Sequence, residues 1–327
     1  MTFSRRCFLA GAATGLGQMA LGCGGGELVS GLRFADENAS EPRIPEAGPP
    51  SLRLCAFGDW GHPNEIKRQV IETMVSAGHA READFIVLLG DNFYMDGIAS
   101  ARDARWEAEF EVPFAKSEFP GPFHPVLGNH DHRGNPRAQV EYSRSSERWR
   151  MPGFYYNASF DIDADTALDV FFLDTTPIDD WEDCAEGQLR WLEDELATSK
   201  ARWKIAAGHH AIFSGGTSGA SGRLRRRLGP LFEQYGVSLY LAGHDHDLEL
   251  LDSRAGWLEV VSGSASRPRR VRWTSRSLFA TSEPGYVRIV AEPDQLWIEF
   301  VTVPRGPCAT YRIEARAAAL ESAATAR

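Results

Sequence analysis

Side chains that can bind metals recur directly after a glycine at five points of this sequence. The segment GHDH places His244 and His246 two residues apart, so in an extended chain both side chains point to the same side. The other four segments read GDWG, GDNFY, GNHD and GHH. They contribute Asp59, Asp91, Tyr94, Asn129 and His209. Oxygen and nitrogen donors without any thiolate are typical of sites for divalent or trivalent transition metals.

An apolar run precedes each of these glycines, as in LRLCAF, DFIVLL and VSLYLA. Short runs rich in Val, Ile, Leu and Phe predict strands that are buried on both faces. Segments with helical spacing lie between them, at residues 64–80, 187–203 and 222–236. The alternation predicts an α/β fold with largely parallel central strands, whose functional crevice lies at the carboxyl ends of the strands.

Each glycine-ligand segment taken alone would also fit a helix cap, a turn or a pair of surface residues. Their joint distribution argues otherwise, because seven of the nine histidines lie in or beside the five segments. We therefore expect one joint metal site at the strand ends.

The composition indicates a soluble globular protein without nucleic acid as a specific partner. Of its 327 residues 43% are hydrophobic, and the formal net charge is −10 with a pI near 5.4. General nucleic-acid binding usually requires a basic surface. An anionic substrate must therefore meet local positive charge, from metal ions or from arginines. Residues 222–229 (GRLRRRLG) predict the solvated face of a helix, whereas residues 266–273 (SRPRRVRW) fit either the rim of the active site or a surface loop.

Residues 1–22 have the features of an export signal. Arg5 and Arg6 precede a short Gly/Ala-rich stretch that is too weak to span a bilayer, and SRRCFL resembles the twin-arginine signal of bacteria. The twin-arginine export machinery is therefore an expected partner, and the expected location is the periplasm or the cell surface. ALGC before Cys23 resembles a lipoprotein cleavage box, so simple cleavage and a lipid anchor at Cys23 both remain open.

The rest of the chain divides into a linker, one folded domain over residues 52–315, and a tail. Residues 23–51 are rich in Gly, Pro and Ser and predict a flexible linker, and residues 316–327 predict an Ala-rich tail. The cysteines of the domain are odd in number and lack CxxC spacing. They are Cys55, Cys184 and Cys308. Cys55 lies in an apolar run and is expected to be buried, while a Cys184–Cys308 disulfide remains open.

Taken together, the five glycine-ligand segments resemble the sequence blocks of the calcineurin-like metallophosphoesterase superfamily. Tyr94 of GDNFY narrows the resemblance to the purple acid phosphatases, and residues 128–156 and 235–251 look like the small tartrate-resistant type. The similarity extends, with gaps, over residues 52–315. It implies a four-layer α/β/β/α sandwich, with two sheets packed face to face and helices outside, and an enzyme that hydrolyses small phosphate monoesters.

In that family two metal ions lie side by side and generate a hydroxide nucleophile. The ligands that the resemblance implies are Asp59, Tyr94 and His246 for an Fe(III) ion, Asn129, His209 and His244 for a divalent iron, zinc or manganese ion, and Asp91 as the bridge. Asn129, His130 and His210 are expected to contact the substrate. His130 is also expected to be catalytic, by hydrogen-bonding the phosphate or by protonating the leaving oxygen.

The sequence departs from the family pattern near the expected site. Thr217 and Ser218 stand where the family has an acid–histidine pair, which removes a second proton donor. His210 replaces a usual aromatic residue, and it either substitutes for part of that pair or faces solvent. Arg223 stands where the family has one half of a disulfide, and residues 177–186 are shorter than the loop that is cleaved in the animal enzymes.

Two other functions fit the same segments. Superfamily members with these blocks also cleave diesters and nucleotides, so a phosphodiesterase or nucleotidase is the nearest alternative, and Tyr94 argues against it. An inactive binding protein tethered to the surface is the alternative from another class. The complete set of seven metal donors argues against that second alternative.

Overall fold

The computed structural model describes residue 44, residues 50–180 and residues 185–315. The predicted export signal, Cys23, most of the predicted linker, Cys184 and the predicted tail lie outside these ranges. No helix within them is both long enough and apolar enough to cross a membrane.

The described ranges contain thirteen strands and six α-helices. The strands are β1 (Leu52–Phe57), β2 (Phe85–Leu89), β3 (Phe123–Val126), β4 (Tyr156–Asp161), β5 (Ala167–Phe172), β6 (Trp203–Ala207), β7 (Leu239–Ala242), β8 (Leu248–Asp252), β9 (Leu258–Ser262), β10 (Ser277–Thr281), β11 (Gly285–Ala291), β12 (Gln295–Thr302) and β13 (Gly306–Glu314). The helices are α1 (Glu65–Ser76), α2 (His79–Glu82), α3 (Arg137–Tyr142), α4 (Thr175–Asp179), α5 (Ala185–Thr198) and α6 (Gly222–Tyr235).

The strands form two sheets, each with a parallel portion. The six-stranded sheet has the order β13-β12-β11-β1-β2-β3, in which β1, β2 and β3 are parallel. The seven-stranded sheet has the order β10-β8-β9-β7-β6-β5-β4, in which β5, β6, β7 and β9 are parallel. The predicted parallel centre is confirmed. The strands that precede the five glycine-ligand segments divide between the sheets, with β1, β2 and β3 in one and β6 and β7 in the other.

Alternate side chains of the seven-stranded sheet face two different layers. In β5, Leu168, Val170 and Phe172 lie in the core shared with the six-stranded sheet. Phe171 of the same strand and Tyr240 of β7 lie instead in a second core, formed with the helices. Because successive side chains of a strand point to opposite faces, one face of this sheet packs on the other sheet and one on helices. The predicted sandwich of two sheets is confirmed.

Helix α6 shows how the outer layer is built. Its buried residues are Leu224, Leu228 and Phe232, which follow one another at intervals of four and form one apolar stripe. Ser221 caps the start of the helix, because its side chain accepts a hydrogen bond from the backbone N–H of Leu224. Gly236 ends the helix in the left-handed conformation at φ 67°.

The helical patterns predicted from the sequence extend beyond the ends of the observed helices. α5 ends at Thr198 because Trp203 already begins β6, and α1 ends at Ser76 before Gly78, whose φ is 79°. The hairpin predicted at residues 284–301 is present as β11 and β12, and β13 extends it. β10 was not predicted, since it is half-buried along its whole length and lacks an alternating apolar pattern.

Candidate metal centre

The five strand ends with predicted ligands meet at one place between the sheets. The backbone N–H of His244, after β7, donates to Asp59 Oδ2 after β1 at 2.8 Å. The ring nitrogen Nδ1 of His209, after β6, lies 2.8 Å from the carbonyl oxygen of Leu89 at the end of β2. Asp59 and His209 are fully buried, while Asn129 and His244 are partly exposed, so the site opens to solvent on one side.

Three of the predicted ligands have left-handed backbone conformations. The φ angles are 56° at Asp59, 51° at Asp91 and 67° at His244. Such a conformation costs a residue with a Cβ atom about 1 kcal/mol or more, and it is concentrated at functional sites. Sharp turns after the strand glycines thus aim these side chains back into the site.

Two glycines of the segments are required because a Cβ atom would occupy ligand positions. A Cβ atom at Gly128 would lie 2.2 Å from Asp91 Oδ1, and one at Gly243 would lie 2.7 Å from Asp59 Oδ2. The glycine that precedes a ligand therefore makes room for a carboxylate delivered by a different strand.

Asp59, Tyr94 and His246 form a first triad of ligand atoms. The Tyr94 hydroxyl lies 2.9 Å from Asp59 Oδ1 and 3.3 Å from His246 Nε2, and that nitrogen lies 3.3 Å from Asp59 Oδ1. His246 Nδ1 lies 2.7 Å from the carbonyl oxygen of Arg267, so Nδ1 carries a hydrogen and Nε2 is directed at the other two atoms.

Asn129, His209 and His244 form a second triad of the same size. Asn129 Oδ1 lies 3.1 Å from both His209 Nε2 and His244 Nδ1, and the two nitrogens are 3.2 Å apart. Asp91 lies beside it, with Oδ1 3.5 Å from His209 Nε2. Asp91 also acts electrostatically on Tyr94 of the first triad, so its carboxylate faces both triads.

Hydrogen bonds alone cannot satisfy either triad, whereas a cation can. Each triad has three contacts between its ligand atoms. A hydrogen on one of these atoms can form a hydrogen bond in only one of the three contacts, and in the others lone pairs face one another. Donors bound 2.0–2.2 Å from one ion at right angles lie about 3 Å apart, which matches the observed separations. His209 and His246 also donate their second ring N–H to backbone carbonyls, as metal-bound imidazoles usually do. The residues present therefore fit two metal ions.

The electrostatics of the site also favour bound cations. Burial and two nearby carboxylates raise the pKa of the Tyr94 hydroxyl well above its ordinary value, so its phenolate form requires a bound cation. Burial alone would raise the pKa of Asp59, but facing imidazoles, His246 first, lower it to about 2. Burial and then His209 lower the pKa of His244 to about 4, which keeps this imidazole neutral and able to bind a metal.

Asp131 holds two of the ligand loops together, a role that was not predicted from the sequence. Its carboxylate accepts hydrogen bonds from the backbone N–H groups of Asn92 at 3.1 Å, Phe93 at 3.2 Å and Gly128 at 2.9 Å. The Gln139 side chain donates a fourth at 2.8 Å. Asp131 was visible as the last residue of GNHD, but only the fold shows that it bonds backbone instead of facing the metals.

His130 lies beside Asp91 with its outer ring nitrogen available to a substrate. Its Nδ1 lies 2.6 Å from the carbonyl oxygen of Met95, and its backbone N–H donates to Asp91 Oδ1 at 2.9 Å. Nε2 is 3.9 Å from Asp91 Oδ2, and the ring packs edge-on against Tyr94 with centroids 4.5 Å apart. The side chain remains partly exposed, so a protonated His130 could donate to a bound phosphate ester.

The structure corrects one alternative for His210 and locates the residues that replace the acid–histidine pair. His210 is buried and packs against His244 with ring centroids 4.5 Å apart, so it does not face solvent. Its Nδ1 lies 2.9 Å from Thr175 Oγ1, and burial lowers its pKa well below the ordinary value. Thr217 and Ser218 are exposed on the loop that follows β6. Contact of His210 with substrate stays a prediction.

Another histidine near the site was not predicted. The ring of His62 stacks on that of Tyr94 with centroids 4.0 Å apart and an interplanar angle of 11°. It comes directly after the GDWG segment, so its proximity to Asp59 was readable from the sequence, but the stacking depends on how the GDNFY loop folds.

The cysteines take no part in the centre. Cys55 is free and buried, as predicted, and Cys308 is free and half-buried. The Cys184–Cys308 disulfide is therefore not formed at Cys308, and Cys184 lies outside the described residues.

Comparisons with known proteins agree with this geometry. The family model "Calcineurin-like phosphoesterase" matches residues 52–248. Tartrate-resistant acid phosphatase type 5 of Homo sapiens is 34% identical over 247 residues, which cover 69% of this chain and 76% of that protein. Purple acid phosphatase 7 of Arabidopsis thaliana is 31% identical over 239 residues, covering 67% of this chain and 72% of the relative.

A solved structure shows the same fold over most of the chain. GAP50, described as the anchor in the inner membrane complex of Plasmodium, superposes with a TM-score of 0.74 at 26% identity and covers 82% of this chain and 90% of its own. With the family model and the phosphatase relatives, the chain belongs to the calcineurin-like phosphoesterases and, within them, to the purple acid phosphatases of the tartrate-resistant type.

Proposed function

We propose that this protein releases phosphate from small phosphate monoesters at a dinuclear metal centre. Metal-dependent phosphoester hydrolysis follows from the family. The observation that carries the proposal is the pair of triads, in which ligand atoms from five strand ends lie 2.9–3.3 Å apart without enough hydrogens to bond one another. Monoester substrates are supported by the acid phosphatase relatives.

The two triads differ in charge, which supports two different metals. The first triad offers the carboxylate of Asp59 and, once deprotonated, the phenolate of Tyr94, so it suits a hard trivalent ion such as Fe(III). The second triad consists of neutral ligands and suits a divalent iron, zinc or manganese ion. The carboxylate of Asp91 lies between the two sites. When bound, two such cations neutralise the phosphate and lower the pKa of a water molecule.

His130 is the residue of this chain that would move a proton. The Met95 carbonyl oxygen accepts a hydrogen bond from its Nδ1–H, which fixes the ring and leaves Nε2 3.9 Å from Asp91 Oδ2. A protonated Nε2 would donate first to a phosphate oxygen and then to the leaving alcohol. Because Thr217 and Ser218 carry no titratable group, we expect substrates with acidic leaving groups to react faster than alkyl phosphates.

The proposal is tested by comparing a monoester with a diester. We expect kcat/KM for p-nitrophenyl phosphate to exceed that for bis(p-nitrophenyl) phosphate. A preference for the bis-ester would favour the phosphodiesterase alternative, with the metal centre unchanged.

A binding protein without activity is the alternative from another class. One similar protein is described as an anchor, which belongs to that protein alone. All seven donors are present here in two compact triads with Asp91 between them, which supports an enzyme. An enzyme should lose its activity together with both metals in an Asp91→Ala variant. A protein that has no phosphatase activity before the change, and that keeps its binding partner after it, would support the binding protein instead.

We further propose that the twin-arginine machinery exports the protein to the periplasm or the cell surface. The support is Arg5 and Arg6 in the SRRCFL segment. A double Arg5→Lys, Arg6→Lys variant should remain in the cytoplasm. A Cys23→Ala variant separates the two fates of the mature protein, because only a lipid-anchored form would be released from the membrane by this change.

A further inference from the structure

An arginine-rich loop connects β9 to β10 next to the metal centre. This arginine loop, residues 266–273, carries four guanidinium groups, at Arg267, Arg269, Arg270 and Arg272. Arg267, Arg270 and Arg272 are exposed and Arg269 is half-buried. Among the described residues, no acidic side chain forms an ion pair with any of the four.

The backbone of the arginine loop is fixed to the loops that carry the ligands. The carbonyl oxygen of Arg267 accepts from His246 Nδ1 at 2.7 Å, and the N–H of Arg269 donates to the carbonyl oxygen of His246 at 2.6 Å. The N–H of Arg272 donates to the carbonyl oxygen of Gly215 at 3.0 Å. The side chain of Asn64 donates to the carbonyl oxygen of Ser266 at 2.8 Å. The loop therefore has a defined position around the first triad.

Arg267 is exposed and lies beside the first triad, because its carbonyl oxygen contacts Nδ1 of His246. Its guanidinium acts on His62, whose pKa is lowered first by burial and then by Arg267. The ring of His62 in turn stacks on Tyr94 of the first triad. Arg267 thus lies within electrostatic range of a residue that contacts a metal ligand, although it does not itself belong to either triad.

We propose that the arginine loop is a subsite for a second phosphate group of the substrate, with Arg267 as the specificity-determining residue. The inference rests on the proposed monoester hydrolysis and names its substrate class: compact molecules that carry two or more phosphates. The metal centre holds the phosphate that is cleaved, and the arginine loop binds the one that remains.

The charge of the molecule favours such a subsite. A chain with a formal net charge of −10 repels a polyanion everywhere except where positive charge is concentrated. Arginine suits this purpose because its planar guanidinium donates two parallel hydrogen bonds to phosphate oxygens. Without ion-pair partners among the described residues, these donors are available to a ligand, and the fixed backbone reduces the entropy lost on binding.

The test compares two substrates that differ by one phosphate, fructose 1,6-bisphosphate and fructose 6-phosphate. A second scissile phosphate alone would raise kcat/KM for the bisphosphate by a factor of about two. We expect kcat/KM for the bisphosphate to exceed that for the monophosphate by more than this factor. The excess should fall as the salt concentration rises. Arg267→Gln should lower the ratio of the two values roughly tenfold, mainly through KM for the bisphosphate. Arg267→Lys should lower it less.

The matched control is Arg225→Gln, which changes an exposed arginine of α6 and should leave the ratio unchanged. The variants should fold, because Arg267 contributes backbone atoms to the loop contacts. An equal loss on both substrates, or a ratio that Arg267→Gln does not change, would overturn the subsite while leaving the phosphatase assignment intact. Failure of the unaltered protein to hydrolyse either sugar phosphate would overturn the subsite, and failure to hydrolyse p-nitrophenyl phosphate as well would overturn the phosphatase assignment.

Discussion

Buried histidines occur in two regions of this molecule, the metal centre and the hydrophobic core. In the centre, His209 and His246 each direct one N–H at a backbone carbonyl and the other ring nitrogen at a group of lone pairs. In the core, His124 of β3 stacks on Phe172 of the opposite sheet, with centroids 5.3 Å apart, and its Nδ1 has no hydrogen-bond partner among the described residues. His79 Nδ1 lies 2.8 Å from the Tyr286 hydroxyl.

The difference shows that burial alone does not mark a candidate metal ligand, whereas converging lone pairs do. His79 and His124 are 8% exposed, and burial lowers the pKa of each to about 4. They are neutral, packed side chains. His209 and His246 are even less exposed, but each faces at least two further donors that a shared cation would join. Changes in the two regions should therefore have different consequences.

The largest effect is expected from removing the carboxylate between the triads. Asp91→Ala should lose metal from both sites and reduce kcat/KM by about a thousandfold or more, because each cation loses a ligand and its distance from the other is no longer fixed. Metal analysis and kinetics on p-nitrophenyl phosphate measure both. Asp294→Ala, which removes an exposed carboxylate, is the control. Full metal content in Asp91→Ala would contradict the bridging position.

Single changes in the triads should separate the two metals. His246→Ala should preferentially lose the metal of the first triad and His209→Ala that of the second, each with a loss of about a hundredfold or more in activity. Metal analysis distinguishes them, since the remaining ion should differ between the variants. Equal loss of both ions in both variants would show that the triads do not act as separate sites.

A smaller loss is expected when the proton donor is changed and the ligands are kept. His130→Gln should lower kcat by about a hundredfold while both metals remain bound, because general acid catalysis contributes on that order. The loss should be larger for alkyl phosphates than for p-nitrophenyl phosphate, whose leaving group needs no proton. A uniform loss across leaving groups would assign His130 to phosphate binding alone.

The smallest effect is expected in the core and concerns stability. Burial keeps the pKa of His124 near 4, below the ordinary value of about 6.5, so the unfolded state binds more protons between these limits. The free energy of unfolding should thus fall as the pH is lowered from 7 to 5, by about 1–2 kcal/mol for this residue. His124→Phe should remove that part of the pH dependence without changing metal content, as measured by urea unfolding at both pH values.

Much of the site was predictable because strand ends are marked in the sequence. Apolar runs that end in glycine predicted the positions of β1, β2 and β7. Parallel strands place the residues that follow them at one edge of a sheet. Asp59 and His244 were found in this way. Their division into two triads came only from resemblance to a family, because spacing along a chain does not show which lone pairs converge.

The remaining features depend on contacts between distant segments. Asp131 bonds the backbone of a loop some forty residues away, at Asn92, and His62 stacks on Tyr94 from another loop. The burial of His210 follows from its packing against His244 and Thr175. Local pattern carries no information on such pairs, and the half-buried β10 has no pattern to detect.

The most direct test of two unlike metals is a visible absorption spectrum with metal analysis of the same purified sample. We predict a broad purple band with one iron and one further metal per chain, and loss of the band in Tyr94→Phe, because a phenolate bound to Fe(III) would be the chromophore. A colourless protein that holds two zinc or two manganese ions would contradict the ferric first site. That result would still agree with phosphoester hydrolysis, and it would favour diesters as the substrates.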